Sequence, residues 1–240
     1  MKSFDNFNLG RCRRRLSVYS ICALCALSLG CVTYRTSELT PAATEQWLAN
    51  SSVDRDSLST NRLVRFRWEL REPDLRMDGL GVIRLGVPDK VRVDLFLENG
   101  ESVLGAALVG NEIRVGEGQP YLEAIPAPPL LWAALGLFKP GQESVLVRSE
   151  RLGTNEIKIE YSISSTSQIS YDIFNNQIRS VSILENGRTI HSMRLELETL
   201  ERLPSRATYR NLNSYRELVM ILDTVDGVEP YDERIWSPGD

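Results

Sequence analysis

Residues 90–100 read KVRVDLFLENG. Val91, Val93, Leu95 and Leu97 alternate there with Arg92, Asp94 and Glu98. A period of two sends alternate side chains to opposite sides of an extended chain, so the segment predicts a strand with one apolar and one wet face. Asn99-Gly100 closes the run, and that pair readily takes the positive φ values a tight hairpin demands. The strand is therefore expected to turn back on itself as half of an antiparallel pair.

The same grammar recurs along the chain. In RLVRFRWEL (62–70), Val64, Phe66, Trp68 and Leu70 alternate with Arg65, Arg67 and Glu69. In EIKIEYSI (156–163) the apolar set is Ile157, Ile159, Tyr161 and Ile163; in HSMRLELETL (191–200) it is Met193, Leu195 and Leu197. Asn186-Gly187 is a second strong hairpin mark, while Gly110-Asn111, Thr154-Asn155 and Asn175-Asn176 are weaker ones. About ten or eleven strands follow from this pattern, most of them joined as a meander. ELVMILDTV (217–225) is apolar on both parities. It reads as a strand buried on both faces, with an N-terminal helix over its far side, or else as a short helix.

Two segments depart from the period. PAATEQWLAN (41–50) predicts a short helix with Pro at its start, Trp47 and Leu48 facing the body. PAPPLLWAALGLFKPG (126–141) predicts a helix over Leu130–Phe138, stopped by Lys139-Pro140-Gly141. Leu130, Leu131, Trp132, Leu135, Leu137 and Phe138 make it apolar nearly all round, so it has to be covered. A ten-strand sheet with one apolar face can fold into a sandwich, close as a filled barrel, or curl around helices. With only two small helices available, the reading is mainly β. The expected architecture is an incomplete, curled antiparallel barrel with a small helical lid over its concave face. Its apolar face exceeds what that lid can fill.

Arg11, Arg13, Arg14 and Arg15 precede an apolar run from Leu16 to Gly30. At fifteen residues it falls short of the ~20 needed to span a bilayer. A basic start, a short apolar stretch and small residues at its end make a secretory signal peptide, with an uncleaved anchor as the alternative. Residues 1–30 then form the leader, 31–40 an anchor and tether, and 41–240 a single domain. All four cysteines (Cys12, Cys22, Cys25, Cys31) fall within the leader or at its end, so the body can form no disulfide and no cysteine-based zinc site.

The leader holds five of the 28 Lys+Arg and one of the 32 Asp+Glu. The remainder carries 23 basic against 31 acidic residues, a net charge of −8 that argues against nucleic acid. No catalytic triad, metal-ligand spacing or phosphate loop is visible, and no cofactor is expected. His191, the lone histidine, points inward on the parity of Met193 and reads as a hydrogen-bonded strand residue. Asp223, Asp226, Asp232 and Glu233 read as solvated surface, because the alternate oxygen ligands of a calcium loop are missing. Gly79, Gly81 and Gly86 precede a strand rather than a helix, which excludes a dinucleotide fingerprint.

Taken in order, these features resemble the outer-membrane lipoprotein receptors (LolB) of the lipoprotein-sorting LolA/LolB superfamily. Ser28-Leu29-Gly30-Cys31 resembles a lipobox, although Ser28 stands where Leu is preferred. The resemblance spans most fully VRVDLFLENGESVLGAALVGNEIRVGEGQPYLEAIPAPPLLWAALGLFKPG, residues 91–141. It implies lipid attachment at Cys31 and, with Val32 following, sorting to the periplasmic face of the outer membrane. It further implies a monomeric, non-enzymatic binder of lipoprotein or lipid acyl chains such as palmitate, with a periplasmic carrier protein as a candidate partner. The implied cavity wall is Val64, Phe66 and Trp68; Val91, Val93, Leu95 and Leu97; Ile159 and Tyr161; Leu195 and Leu197. The implied lid is Leu130, Leu131, Trp132, Leu135 and Phe138. The chain departs from the receptors at Glu98-Asn99-Gly100-Glu101, an acidic turn where they carry a protruding apolar residue, which puts delivery of the client into a bilayer in doubt. A binding or scaffold lipoprotein of the same fold, with a filled interior and a protein partner, is the alternative.

Overall fold

The computed structural model describes residues 37–50, 60–116, 125–198 and 203–238. The leader, Cys31 and most of the tether lie outside them. Residues 36–240 form one compact unit, built on a single thirteen-stranded antiparallel sheet that curls without closing. The strands are β1 (Ser37–Glu38), β2 (Arg62–Arg71), β3 (Arg76–Gly86), β4 (Lys90–Leu97), β5 (Ser102–Val109) and β6 (Glu112–Val115). After the central helix come β7 (Val145–Arg151), β8 (Glu156–Ser162), β9 (Ser167–Phe174), β10 (Gln177–Glu185), β11 (Arg188–Glu196), β12 (Arg206–Asn211) and β13 (Arg216–Gly227). The excess over the expected ten or eleven includes β1, of two residues, and β6, of four, both too short to show a period.

Two meanders make the sheet, β2–β6 and β7–β13. They are joined by β13 against β2, with Met220 opposite Trp68 and Leu222 opposite Phe66. On the wet face of this joint Arg67 pairs with Asp223 at 3.2 Å and Arg65 with Asp226 at 2.5 Å. Asp223 and Asp226 are thus partners of a cross-strand charge ladder, a joint that no local pattern announced. Glu217–Val225 is strand, as the first reading had it, but its far side is not covered by the N-terminal helix. That helix, α1 (Pro41–Asn50), lies instead by β7, near the β1 edge of the sheet, where the hydroxyls of Thr44 and Ser149 of β7 share a buried hydrogen bond. Leu48 of α1 is buried, and Trp47 packs beside it.

Turn chemistry follows the expected marks. Asn186-Gly187 and Asn175-Asn176 both have positive φ at each central residue, and all five marked pairs join consecutive strands. Ile163 lies beyond the end of β8 and is 38% exposed, so its alternation with Tyr161 is not continued inward.

The central helix, α2 (Pro128–Ala134), starts two residues before the expected Leu130 and ends four residues before the expected Phe138, well short of Lys139-Pro140-Gly141. Gly136 takes φ +76, the Gly136 amide donates to the Ala133 carbonyl (2.8 Å) and the Leu137 amide to the Trp132 carbonyl (3.0 Å). That pair of bonds closes the last turn and ends the helix at the glycine. Leu137 and Phe138 are buried even so, in the irregular segment that follows.

The convex face carries a strap. After β13 the chain crosses back so that Tyr231 donates to the Arg62 carbonyl (2.9 Å) and Glu233 holds Lys90 (2.6 Å). A 3₁₀ turn, Glu233–Trp236, is capped by the Asp232 side chain accepting from the Arg234 amide. Trp236 is 3% exposed and lies on Gly86, where a Cβ would fall 2.4 Å from its ring. Beneath the strap Asp94, alternating outward as its parity requires, is nonetheless buried, held by Arg84 and by Arg92 at 3.0 Å. Arg92 also donates to the Ile235 carbonyl at 2.8 Å.

Candidate apolar binding site

The inner face is divided by α2 and the two residues after Gly136. On one side, Leu130, Ala133, Ala134 and Phe138 meet the inner faces of β8–β12. On the other, Trp132, Leu135 and Leu137 meet β2–β5. Leu218 and Met220 of β13 touch both halves. Burial of this much hydrocarbon, at ~25 cal/mol per Å², is the main force holding the sheet around the helix.

Local sequence shapes the second half. Phe66 and Trp68 of β2 face Gly81 and Gly79 of β3 across the register. A Cβ on Gly81 would lie 2.2 Å from the Phe66 ring, and one on Gly79 would lie 2.0 Å from the Phe96 carbonyl oxygen. The glycines thus let the rings fold flat against the sheet. The Trp68 indole N–H donates to the carbonyls of Leu80 (3.1 Å) and Phe96 (3.2 Å), so its polar edge is satisfied and its face is left apolar. Trp132 does the same with the Gly110 carbonyl at 2.9 Å. Lys139 stands 4.2 Å over the Trp132 ring, a cation–π contact that holds the post-helix segment against α2.

Between α2 and β2–β5, and on to Met193, Ala207 and Tyr209 of β11 and β12, the filling is incomplete. A cavity of about 90 Å³ remains, and no charged residue lines it. A second hollow of about 20 Å³ shares Phe66, Ile83 and Leu135 with it. A dry engineered cavity of ~150 Å³ holds one benzene. The present space therefore takes a few methylenes, and a whole acyl chain enters only if α2 shifts outward.

The structure distributes the expected wall and lid residues as follows. Phe66, Trp68, Val91, Val93 and Leu95 line the main cavity from β2 and β4, and Val64 lines the smaller hollow. Leu97 packs against the same half of the core. Ile159, Tyr161 and Leu195 belong to the filled half, and Leu197 lies one residue past the end of β11, half-buried. Of the helix, Leu131 and Leu135 face the cavity, Trp132 is fully buried in that half, and Leu130 and Phe138 plug the other.

Residues absent from the expectation also line the space: Leu104, Ala106 and Leu108 of β5, Met77 of β3, and Leu218 and Met220 of β13. β5 reads SVLGAALV, apolar or small on both parities, so alternation could not assign its inner face. Its outer small residues, Gly105 and Ala107, lie opposite Asp94 and Arg92. The signal that could have found them is the hairpin itself, since Asn99-Gly100 places Leu104 across from Leu95.

Polar groups at the wall are few. Tyr209 of β12 reaches the cavity, and its hydroxyl meets Nδ1 of His191 at 3.0 Å. Desolvation holds the His191 pKa below the usual imidazole range, and burial pushes the Tyr209 phenol up. His191 is thus a partnered strand residue facing inward. Among the described residues no group of His, Cys, Asp or Glu is arranged to hold a metal ion. No described helix is long and apolar enough to cross a membrane. A space of this kind can exclude water from hydrocarbon and does little else chemically.

Two solved structures have a similar fold. One is the LolA superfamily protein NE2245 from Nitrosomonas europaea, 14% identical, with a TM-score of 0.51 over 80% of this chain and 96% of that one. The other is a domain assigned to outer membrane lipoprotein sorting from Vibrio parahaemolyticus, 8% identical, with a TM-score of 0.50 over 80% and 94%. At such identities the likeness establishes the fold, a LolA-like one. The sequence matches no family model and no curated protein.

Proposed function

We propose that this chain is a non-enzymatic carrier or receptor that takes the acyl chains of lipoproteins or lipids between α2 and β2–β5. The observation that carries the proposal is a residual cavity without a charged residue in its wall, set against a short helix that is itself apolar. The LolA-like fold supports it. Each methylene moved from water into such a space contributes ~0.8 kcal/mol, so a palmitoyl chain contributes roughly ten before confinement is deducted. Release then requires the site to be only modestly better than the next one, which suits a space that is small until α2 moves.

The leader and Cys31 place this carrier, in the same reading, on the periplasmic face of the outer membrane. Five residues separate Cys31 from β1, a short tether. A periplasmic carrier protein is the natural donor of its client, and the acidic turn Glu98–Glu101 leaves insertion into the bilayer to another element.

A second reading has one observation behind it. Under β8–β10 the core is filled, which suits a tethered module that recognises a protein and holds no guest. The experiment that separates the two uses the chain from residue 32 onward. Mass spectrometry of lipid extracted from the purified protein, with titration of a fluorescent fatty acid, is expected to show stoichiometric bound acyl chains. A protein that emerges empty and leaves the probe unquenched sinks the carrier reading.

A further inference from the structure

Tyr171 of β9 has no solvent exposure, and its hydroxyl is the one buried side-chain polar atom among the described residues with no hydrogen-bond partner. Buried phenols are almost always paired, so an orphan calls for a physical account. Its surroundings give one. Tyr171 lies opposite Ile159, and Tyr161 opposite Ile169, so the two tyrosines sit diagonally on the inner face of β8 and β9. Both are covered by one ring. Phe138 lies 4.5 Å from the Tyr171 centroid and 6.0 Å from that of Tyr161.

Phe138 belongs to no helix or strand. It stands in the segment between Gly136 at φ +76 and Gly141 at φ +111, and a Cβ on Gly141 would meet nothing within 4 Å. The Leu137–Trp132 hydrogen bond and the Lys139–Trp132 contact tie this segment to α2, and the left-handed Gly141, open on its Cβ side, is the point about which the two can swing as a unit. Movement that lets an acyl chain into the cavity also withdraws Phe138, and the space it vacates is walled by the Tyr171 ring, whose hydroxyl is the buried atom without a partner.

Resting on the acyl-binding reading above, we propose that Tyr171 is the polar contact of the site. It donates a hydrogen bond to a carbonyl of the guest, the ester or amide that joins an acyl chain to its carrier molecule, once Phe138 has left. The filled region under β8–β10 is then the place of the acyl linkage, and the open half under β2–β5 the place of the hydrocarbon tail. The unpaired hydroxyl of the empty state is a donor kept for that carbonyl. Phe138 is the stand-in that covers it.

The test compares two probes on the chain from residue 32 onward, whose residues 36–240 form one compact unit. One is a pyrene-tagged fatty-acid methyl ester; the other is the pyrene-tagged alkane of equal length. Tyr171→Phe removes only the oxygen and keeps the packing. It is expected to weaken the ester about fivefold while leaving the alkane unchanged, and to raise the melting temperature of the empty protein. Phe138→Ala, with Tyr171 intact, is expected to strengthen the ester more than the alkane. An ester-to-alkane affinity ratio that Tyr171→Phe does not change overturns the assignment and leaves acyl binding standing. If the unmutated protein binds neither probe, both readings fall together.

Discussion

Leu137 and Phe138 are neighbours in the chain and lie in opposite halves of the core, Leu137 against the β2–β5 side and Phe138 against β8 and β9. One peptide bond therefore links the filled space to the incompletely filled one. Truncating Phe138 to Ala is expected to lower unfolding free energy by about 3–5 kcal/mol. Urea titration reads that cost, and the apolar volume left beside Tyr161 and Tyr171 should bind an apolar dye more tightly than the parent does. An apolar dye that binds the variant no better than the parent contradicts this link.

Ala106 faces Val93 across β4 and β5 and lines the cavity. Ala106→Leu should fill most of the space from within. Its expected signature is a melting temperature equal to or above the parent's with loss of fatty-acid binding, since a void costs about 24 cal/mol per Å³. Retained binding at full stability places the guest elsewhere.

Gly81 has the Phe66 ring where a Cβ would go. Gly81→Ala should therefore cost about 2–3 kcal/mol, the usual penalty of overpacking a rigid site. Pairing it with Phe66→Leu should restore at least 1 kcal/mol, read as a coupling in a double-mutant cycle. Additive losses show that the ring had room to move.

Trp236 seals the convex face, away from the cavity. Trp236→Ala is expected to destabilise by about 3–4 kcal/mol through lost burial and the uncovering of Asp94 and its arginines. Fatty-acid affinity measured well below the new melting point should be unchanged. A parallel drop in affinity shows that strap and cavity communicate.

His191 titrates below its ordinary pKa in the folded protein because burial disfavours the imidazolium, with Glu185 opposing weakly. Above about pH 6.5 both folded and unfolded histidine are neutral, and the group costs nothing. As pH falls below that value the unfolded chain takes the proton first, so stability declines until the folded pKa is passed. Urea midpoints taken between pH 7.5 and 5 should fall in the parent and run flatter in His191→Asn. Equal slopes in the two proteins remove His191 as the cause.

Much of the architecture was legible because hairpins are local. KVRVDLFLENG carries its own strand, its own turn and its own inward set, and RLVRFRWEL gives the inner residues of β2 without help. What stayed hidden depends on distant partners. Nothing near Arg65 or Arg67 says that they will face Asp226 and Asp223, and nothing in the glycines of β3 says which rings will lie on them. Asp94 reads as a solvated position by parity and is buried because a strap more than 130 residues later comes to cover it. Of the site, the wall from β2 and β4 was legible by alternation. The wall from β5 was not, because its small residues carry no period. Phe138 was expected in a helix and performs its packing outside one, since Gly136 ends the turn before the apolar run is over.

The junction of β13 with β2 has a consequence for biogenesis. The first long strand to leave the ribosome pairs at once with β3 on one edge, but finds the neighbour for its other edge only when residues 216–227 have been made, after nearly the whole chain. Until then one margin of the N-terminal meander stays raw and greasy, a template for sticking to other molecules. Maturation of this molecule is thus a single late event, and a chain truncated by a dozen residues before Arg216 is expected to be captured by chaperones or degraded, with no partly working fragment left behind.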